Sequence, residues 1–343
     1  MTISDIGEKR LIADIVRPLF NPDLDFRSVG DDCAMIDLGS DRLLLVSTDR
    51  VPADLIAFRK GILDYSGLGG YLARLNISDI AACGGSPLGL LLNLALPPST
   101  ELEAFKELCS GVALVSQRYQ CPVLGGDLSS SVELSLSATS VGIVDRRCVL
   151  TRQGALPGDT VFVSRPVGLT PAALRYLTLP ETLRPRLEEN EVKILKGQFT
   201  NMEPMVSLGR RLAESLLCTS CMDNTDGIAQ SLSELAASSN CAFVIDKARI
   251  RVSSVVERLA DSIHVDAVDL ALGPGADFSL VGTLSGKWTP DRVREELNAS
   301  VEIIGTVEEG AGVYIDFDGR RSPLPPRGWN YFSPNLDGAL ESD

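Results

Sequence analysis

The sequence predicts a mixed α+β chain of two domains, and three observations carry that prediction. Its 343 residues exceed what one small core comfortably organises, so two domains are the natural expectation. Stretches that alternate apolar and polar residues, such as "VELSLSATSVGIV", are interspersed with three-four apolar spacings, as in residues 99–119. Hydrophobic residues make up 44% and charged residues 23%, which supplies enough apolar surface for ordinary globular cores. A composition shift into "DRRCVLTRQGALPGDTVFVSRPVG" places the boundary near 145–150, giving an N-terminal domain 1–147 and a C-terminal domain 148–343.

Element by element, "CAMIDLGSDRLLLVSTD" reads as two strands joined by a tight turn at Gly39-Ser40. In "DYSGLGGYLARLNISDIAACGG", Leu68, Leu72, Leu75 and Asp79 share one helical face, and Gly84-Gly85 ends the helix. "PLGLLLNLALP" is a strongly apolar strand. Leu102, Phe105, Leu108, Val112, Val115 and Tyr119 mark the clearest helix, with Thr100 and Glu103 expected to form a capping box. "CPVLGGD" follows as a short strand and "VELSLSATSVGIV" as a half-buried antiparallel one. The second half has helical patterns at 204–217, 227–239, 253–263 and 289–299, with strands in "AFVIDKARI", "FSLVGTL" and "GVYIDF". In the Pro-rich tail "RSPLPPRGWNYF", Trp329, Tyr331 and Phe332 are expected to pack back onto the body.

Lys and Arg number 32 against 46 Asp and Glu, a net charge of −14. That balance argues against nucleic acid or an anionic membrane as the main partner, since both need clustered cations. The N-terminus lacks the basic-then-apolar pattern of a signal peptide. The longest apolar run, "LGLLLNLAL", is too short to cross a bilayer, so a cytoplasmic location is expected. Of eight cysteines only Cys218 and Cys221 form a C-x-x-C, with no second pair for a zinc ribbon, so reduced, buried thiols are expected. The one histidine, His264, reads as a helix-end residue, which leaves no Ser-His-Asp or zinc-histidine chemistry to build. The "DRR" at 145–147 reads as solvated turn charges.

No G-x-x-x-x-G-K-[ST] is present, and "GLGGYL" lacks the third glycine of a dinucleotide fingerprint. Carboxylates instead recur in five short contexts: Asp31 in "GDD", Asp49 in "STD", Asp79 in "NISD", Asp127 in "LGGD" and Asp226 in "NTDG". Adjacent strands deliver their ends to one rim of a sheet, so these groups are expected to converge. Gathered carboxylates repel one another unless a cation sits among them, and Mg²⁺ bound by a few carboxylates plus substrate phosphates is the fitting case.

In order and spacing, "GDDCAMI", "STD", "LNISDIAACGGSPLGLLLNLALP", "LGGD", "TRQGALPGDTVFVS" and "MDNTDGI" resemble thiamine-monophosphate kinase, within the aminoimidazole-ribonucleotide-synthetase (AIR synthase) superfamily. The resemblance runs from about Glu8 to Phe332. It implies a two-domain AIR-synthase-like fold, with the N-terminal domains of two subunits forming a shared β-barrel in a homodimer. It also implies ATP and Mg²⁺ as cofactors and a small-molecule acceptor as the partner. Carried over residue by residue, the metal set is Asp31, Asp32, Asp49, Asp79, Asp127 and Asp226, with Asp31 as ligand and Asp32 beside it. Asp127 and Asp226 would be catalytic. Gly125 and Gly126 would let backbone approach the nucleotide, with Arg152 near the phosphates and Thr225 in the nucleotide site. Glu8 matches a family position, although a helix-start carboxylate explains it equally well.

The substrate side departs from the family. Where the family has a histidine after the "STD" motif, this chain has Ile56 or Ala57. In "GPGADFSLV", Ala276 and Ser279 replace acidic residues while Asp277 and Phe278 keep the pattern, and Asn224 and Thr225 replace an aliphatic residue and Ser. The expected function is therefore Mg-ATP-dependent phosphoryl transfer with a changed acceptor. Thiamine-monophosphate kinase activity itself with a rearranged pocket, an ATP-dependent ligase or cyclase, and an inactive nucleotide-binding paralogue are the alternatives.

Overall fold

Along β5 (Ser135–Asp145) the side chains alternate strictly between half-exposed and buried, and this strand forms the middle of the first sheet. The computed structural model describes residues 3–16, 19, 30–298 and 300–329, so Tyr331 and Phe332 of the expected closing aromatics lie outside the described residues. The sheet runs β1 (Ala34–Asp37), β2 (Arg42–Arg50), β5, β3 (Ser86–Leu96), β4 (Val123–Ser130). β1 and β2 form the expected hairpin, Ala34 opposite Val46 and Asp37 opposite Leu43, and Gly39 takes a positive φ of 71° in its turn. Arg146 pairs with Asp37 across that turn, which gives one charge of the "DRR" run a structural partner.

Helix α1 (Tyr65–Ala82) is buried along most of its length and crosses α2 (Leu102–Arg118) at very close range. A Cβ on Gly69 would lie 2.0 Å from the Leu108 carbonyl oxygen, and one on Gly111 would lie 1.8 Å from that of Ser66, so only glycine permits the crossing. Asp64 caps α1 by accepting the Gly67 N–H at 2.7 Å. The capping box expected from Thr100 and Glu103 does not form: the N-cap of α2 is Glu101, without a side-chain cap, and Leu102 is exposed rather than buried. The Thr100 N–H instead closes a turn onto Pro97, which starts the helix one residue later.

The second sheet has seven strands in the order β12 (Arg320–Pro323), β11 (Gly312–Phe317), β8 (Ala242–Asp246), β10 (Glu302–Glu308), β6 (Thr160–Val163), β9 (Ser279–Leu284), β7 (Cys218–Asn224). Helices α3 (Leu169–Thr178), α4 (Glu189–Thr200), α5 (Val206–Ser215), α6 (Ile228–Ser239), α7 (Ser254–Ser262) and α8 (Pro290–Leu297) surround it. Strands β6, β7, β10 and β12 and helices α3 and α4 were not expected from the sequence. Fully buried four-residue strands such as β6 show no alternation to read.

One hydrophobic cluster runs through both halves, joining Val51, Leu72 and Leu108 to Ala172, Val256 and Phe278. α5 also docks on the C-terminal end of α1, where a Cβ on Gly209 would lie 2.0 Å from the Ala81 carbonyl oxygen. His264 follows α7 with a φ of 60° and is exposed, as a helix-end residue should be. All eight cysteines are free thiols, and among the described residues no helix is long and apolar enough to cross a membrane.

Candidate active site

Four chain segments meet where the two halves join. β2 brings Asp49, the last full turn of α1 brings Asp79, the loop before β1 brings Asp31 and Asp32, and the end of β7 brings Asp223. Carboxylate oxygens of Asp32, Asp79 and Asp223 all lie within 4.8 Å of one another. The Asp79 carboxylate accepts the Ser47 hydroxyl at 2.5 Å, and Asn76, one turn earlier on α1, accepts the Asp49 N–H at 3.0 Å. Asn76 is itself fixed by donating to the Leu72 carbonyl at 2.9 Å, so one fully buried amide ties β2 to the helix that carries Asp79.

Burial and mutual repulsion raise the pKa values of this cluster. Burial, then the charges of Asp226 and Asp32, push Asp49 up to about 7. Burial, then Asp49, Asp223 and Asp32, hold Asp79 well above the usual carboxylate range. Asp223 is raised by burial and by Asp32. Asp32 is raised by burial even though Arg152 opposes it. Asp223 Oδ2 is buried without a hydrogen-bond partner of good geometry, and the Ser78 side chain lies close enough to lower the Asp223 pKa. An all-oxygen donor set of this charge, with a buried oxygen so placed, fits a hard divalent cation such as Mg²⁺.

The expected site residues divide into several groups. Asp32, Asp49 and Asp79 converge. Asp31 stands apart from the three-carboxylate group and accepts the Arg152 N–H at 2.6 Å, so Asp32 rather than Asp31 occupies the central position of "GDD". Arg152 donates from Nε at 3.1 Å, and also from Nη2, to Asp32, and from Nη1 at 2.5 Å to Glu234, so its guanidinium is engaged by carboxylates. Its pKa is raised: burial opposes the charge, and Asp32 and Glu234 outweigh that. Asp226 adds its charge next to Asp49, and its carbonyl accepts the N–H groups of Gly275 at 3.3 Å and Trp329 at 3.1 Å. Thr225 donates its hydroxyl to Asp223 at 3.5 Å. Glu8 is near enough to raise Asp49, which sets the N-terminal segment beside the site.

Asp127, Gly125 and Gly126 lie elsewhere, on β4, whose eight residues are all exposed. Gly126 has a structural role of its own: at φ 151°, a Cβ there would lie 1.9 Å from the Leu92 carbonyl oxygen, so glycine lets β4 pair with β3 next to a bulge. On the substrate side, Ala57 is fully buried and Ile56 half-buried in a one-turn helix, Ile56–Arg59. Asp277 accepts from Asn224 Nδ2 at 3.0 Å and from the Ser279 N–H at 2.9 Å, and Asn224 Oδ1 accepts the Gly227 N–H at 3.1 Å, locking the "NTDG" turn.

Sequence reasoning missed Asp223 and Glu234. For Asp223 the available signal was its place three residues before Asp226 in "MDNTDG"; the strand that carries it, β7, was not legible. For Glu234 no local signal exists, because a Glu in a surface-patterned helix is ordinary.

Residues 30–144 match the family model described as AIR synthase related protein, N-terminal domain. The chain is 29% identical over 325 residues to a thiamine-monophosphate kinase of Pyrococcus abyssi, covering 94% of this chain and 96% of the relative. It is 28% identical to that of Aquifex aeolicus, covering 97% of this chain and all of the relative. Among solved structures, AaThiL complexed with AMPPCP and TMP superposes with a TM-score of 0.80 at 26% identity, covering 96% of this chain and 99% of that one. A HypE–HypF complex shares the fold at a TM-score of 0.70 and 18% identity.

Proposed function

From the premise that this chain is a thiamine-monophosphate kinase-like member of the AIR synthase related family, we propose that it transfers a phosphoryl group from Mg-ATP to a small-molecule acceptor. The observation that carries this reading is the convergence of Asp32, Asp79 and Asp223, with one buried oxygen of Asp223 left without a hydrogen-bond partner of good geometry. Bound there, Mg²⁺ would supply charge neutralisation for the polyphosphate. Asp32, Asp79 and Asp223 would hold it, with Asp49 and Asp226 beside them. Thr225 and Ser47 orient carboxylate oxygens, and Asn76 fixes the Asp49 backbone, so the site needs little rearrangement on loading.

Asp127 enters this reading through assembly. β4 is an edge strand, and with β3 it exposes Leu88, Leu91, Val123, Leu124 and Leu128. Such an edge is an aggregation hazard unless it is covered, and a second copy in a homodimer is the occupant proposed here. Asp127, Gly125 and Gly126 would then serve nucleotide binding and catalysis from a covered face.

The acceptor is proposed to differ from thiamine monophosphate. Ile56 and the buried Ala57 stand at the position of a family histidine, and neither side chain can donate a hydrogen bond to a phosphate. An unpaired phosphate oxygen there would cost a few kcal/mol, on the order of 1–3. A second reading, with thiamine monophosphate itself as acceptor, is favoured by the whole-chain likeness to a kinase complexed with AMPPCP and TMP.

The test is ADP release from Mg-ATP with and without thiamine monophosphate, with Asp127→Asn as the control. Turnover that needs thiamine monophosphate and is lost in the variant supports the second reading. ATP binding without such turnover supports a changed acceptor, to be sought among other small metabolites. Free phosphate with a new C–N bond would mean a ligase, and nucleotide binding without ADP under any acceptor would mean an inactive paralogue.

A further inference from the structure

Arg152 is the one cation in direct contact with the acidic cluster among the described residues, and its guanidinium is shared. One edge meets Asp32, whose side chain is 3% exposed, and Nη1 meets Glu234, which is 14% exposed, while Arg152 itself is 19% exposed. Glu234 is in turn oriented on α6 by Gln230, one turn earlier, whose Nε2 donates to Glu234 Oε1 at 2.9 Å. Gln230 lies against the closing segment, since a Cβ on Gly328 would stand 2.6 Å from Gln230 Cβ. A continuous contact path therefore runs from Gly328 through Gln230, Glu234 and Arg152 to Asp31 and Asp32.

We infer that Glu234 is a positioning residue that sets the divalent-cation affinity of the site: by taking Arg152 Nη1 it confines the guanidinium to Asp32 Oδ1 and leaves Asp32 Oδ2 for a metal. The inference rests on the metal reading given above and deepens it. Asp32 has two claimants, the guanidinium and the cation. With Glu234 in place, Arg152 divides its donors between two carboxylates, and Asp32 keeps lone pairs for a metal. Without Glu234, Nη1 is released and the guanidinium can turn toward the second oxygen of Asp32, and the local potential would also be less negative by one charge. Both changes act in the same direction, against cation binding. Partners that orient metal-ligating groups typically matter by one or two decades in affinity.

The experiment titrates Mn²⁺ into the full-length protein without nucleotide, reading bound metal by electron paramagnetic resonance, for wild type, Glu234→Ala and Glu234→Gln. Thermal melts in EDTA serve as the folding control. The expected result is an Mn²⁺ Kd raised about tenfold in Glu234→Ala. Glu234→Gln, which keeps a hydrogen-bond acceptor for Arg152 but no charge, should fall between. The added variant Arg152→Met in the Glu234→Ala background should recover affinity, which a purely structural defect would not. Equal Kd values for wild type and folded Glu234→Gln and Glu234→Ala would overturn this inference and leave the metal reading standing. A wild type that binds no Mn²⁺, with or without ATP, would overturn both.

Discussion

Asp79 and Asp127 sit in similar-looking contexts, each an Asp after small residues in an otherwise apolar stretch, yet their surroundings are opposite. Asp79 is 6% exposed among three other carboxylates, and Asp127 stands on a strand with every residue exposed. The difference teaches that this chain carries a buried acidic centre and a separate, fully exposed edge strand, the face proposed above to be covered by a second copy. The first depends only on how one chain folds. The second depends on a surface that an edge strand leaves open.

The largest test of that contrast is Asp79→Asn. ADP formation should fall by more than about 100-fold, because the proposed cation site loses one of its three converging carboxylates. The melting temperature in EDTA should rise, because a buried carboxyl crowded by Asp49, Asp223 and Asp32 is replaced by a neutral amide. A variant that loses both activity and stability would mean that Asp79 is structural. Next in size, Leu124→Lys combined with Leu128→Lys should convert a dimer into a monomer by light scattering and lower turnover in parallel. An unchanged mass with full activity would break the assembly half of the comparison.

Gly126→Ala should destabilise the fold by about 2 kcal/mol or more, read by urea unfolding, since φ 151° and the Leu92 carbonyl both oppose a Cβ. A smaller effect is the pH dependence of metal-free stability. In the folded chain the pKa values of Asp49 and Asp79 are raised above their unfolded values by burial and neighbouring carboxylates. Stability should therefore fall as pH rises from about 4, the usual carboxylate value, through about 7 for Asp49. Saturating Mg²⁺ should flatten that slope. Stability rising over this window in EDTA would contradict the crowded-carboxylate account. The smallest expected change is in the stability of Asp127→Asn, within about 0.5 kcal/mol of wild type because the side chain is exposed. Its activity should nevertheless drop if β4 faces a nucleotide in the assembled protein.

Much of the fold was legible because its signals are local. The alternation of β5, the Gly39 turn and the three-four spacing of α2 need only neighbouring residues to be recognised. The capping box at Thr100 failed because capping depends on the path of the preceding chain, which turns back at Pro97. Strand β6 and helix α4 stayed hidden for opposite reasons, one buried on every face and the other lacking a strong apolar stripe.

The sequence by itself determined that acidic residues recur at element ends in an order matching one family, and that a net charge of −14 disfavours anionic partners such as nucleic acid. Its resemblance to the family also put Ile56 or Ala57 where a histidine was expected, which is the ground for the proposed change of acceptor. Only the tertiary structure decided that Asp32 rather than its neighbour Asp31 joins Asp79 and Asp223, because adjacent side chains leave the backbone in different directions and one is taken by the Arg152 N–H. It alone brought Glu234 to Arg152 across 82 positions of sequence. Charges far apart in the chain acquire raised pKa values and shared partners only when packing removes the water between them, and no local pattern encodes that removal.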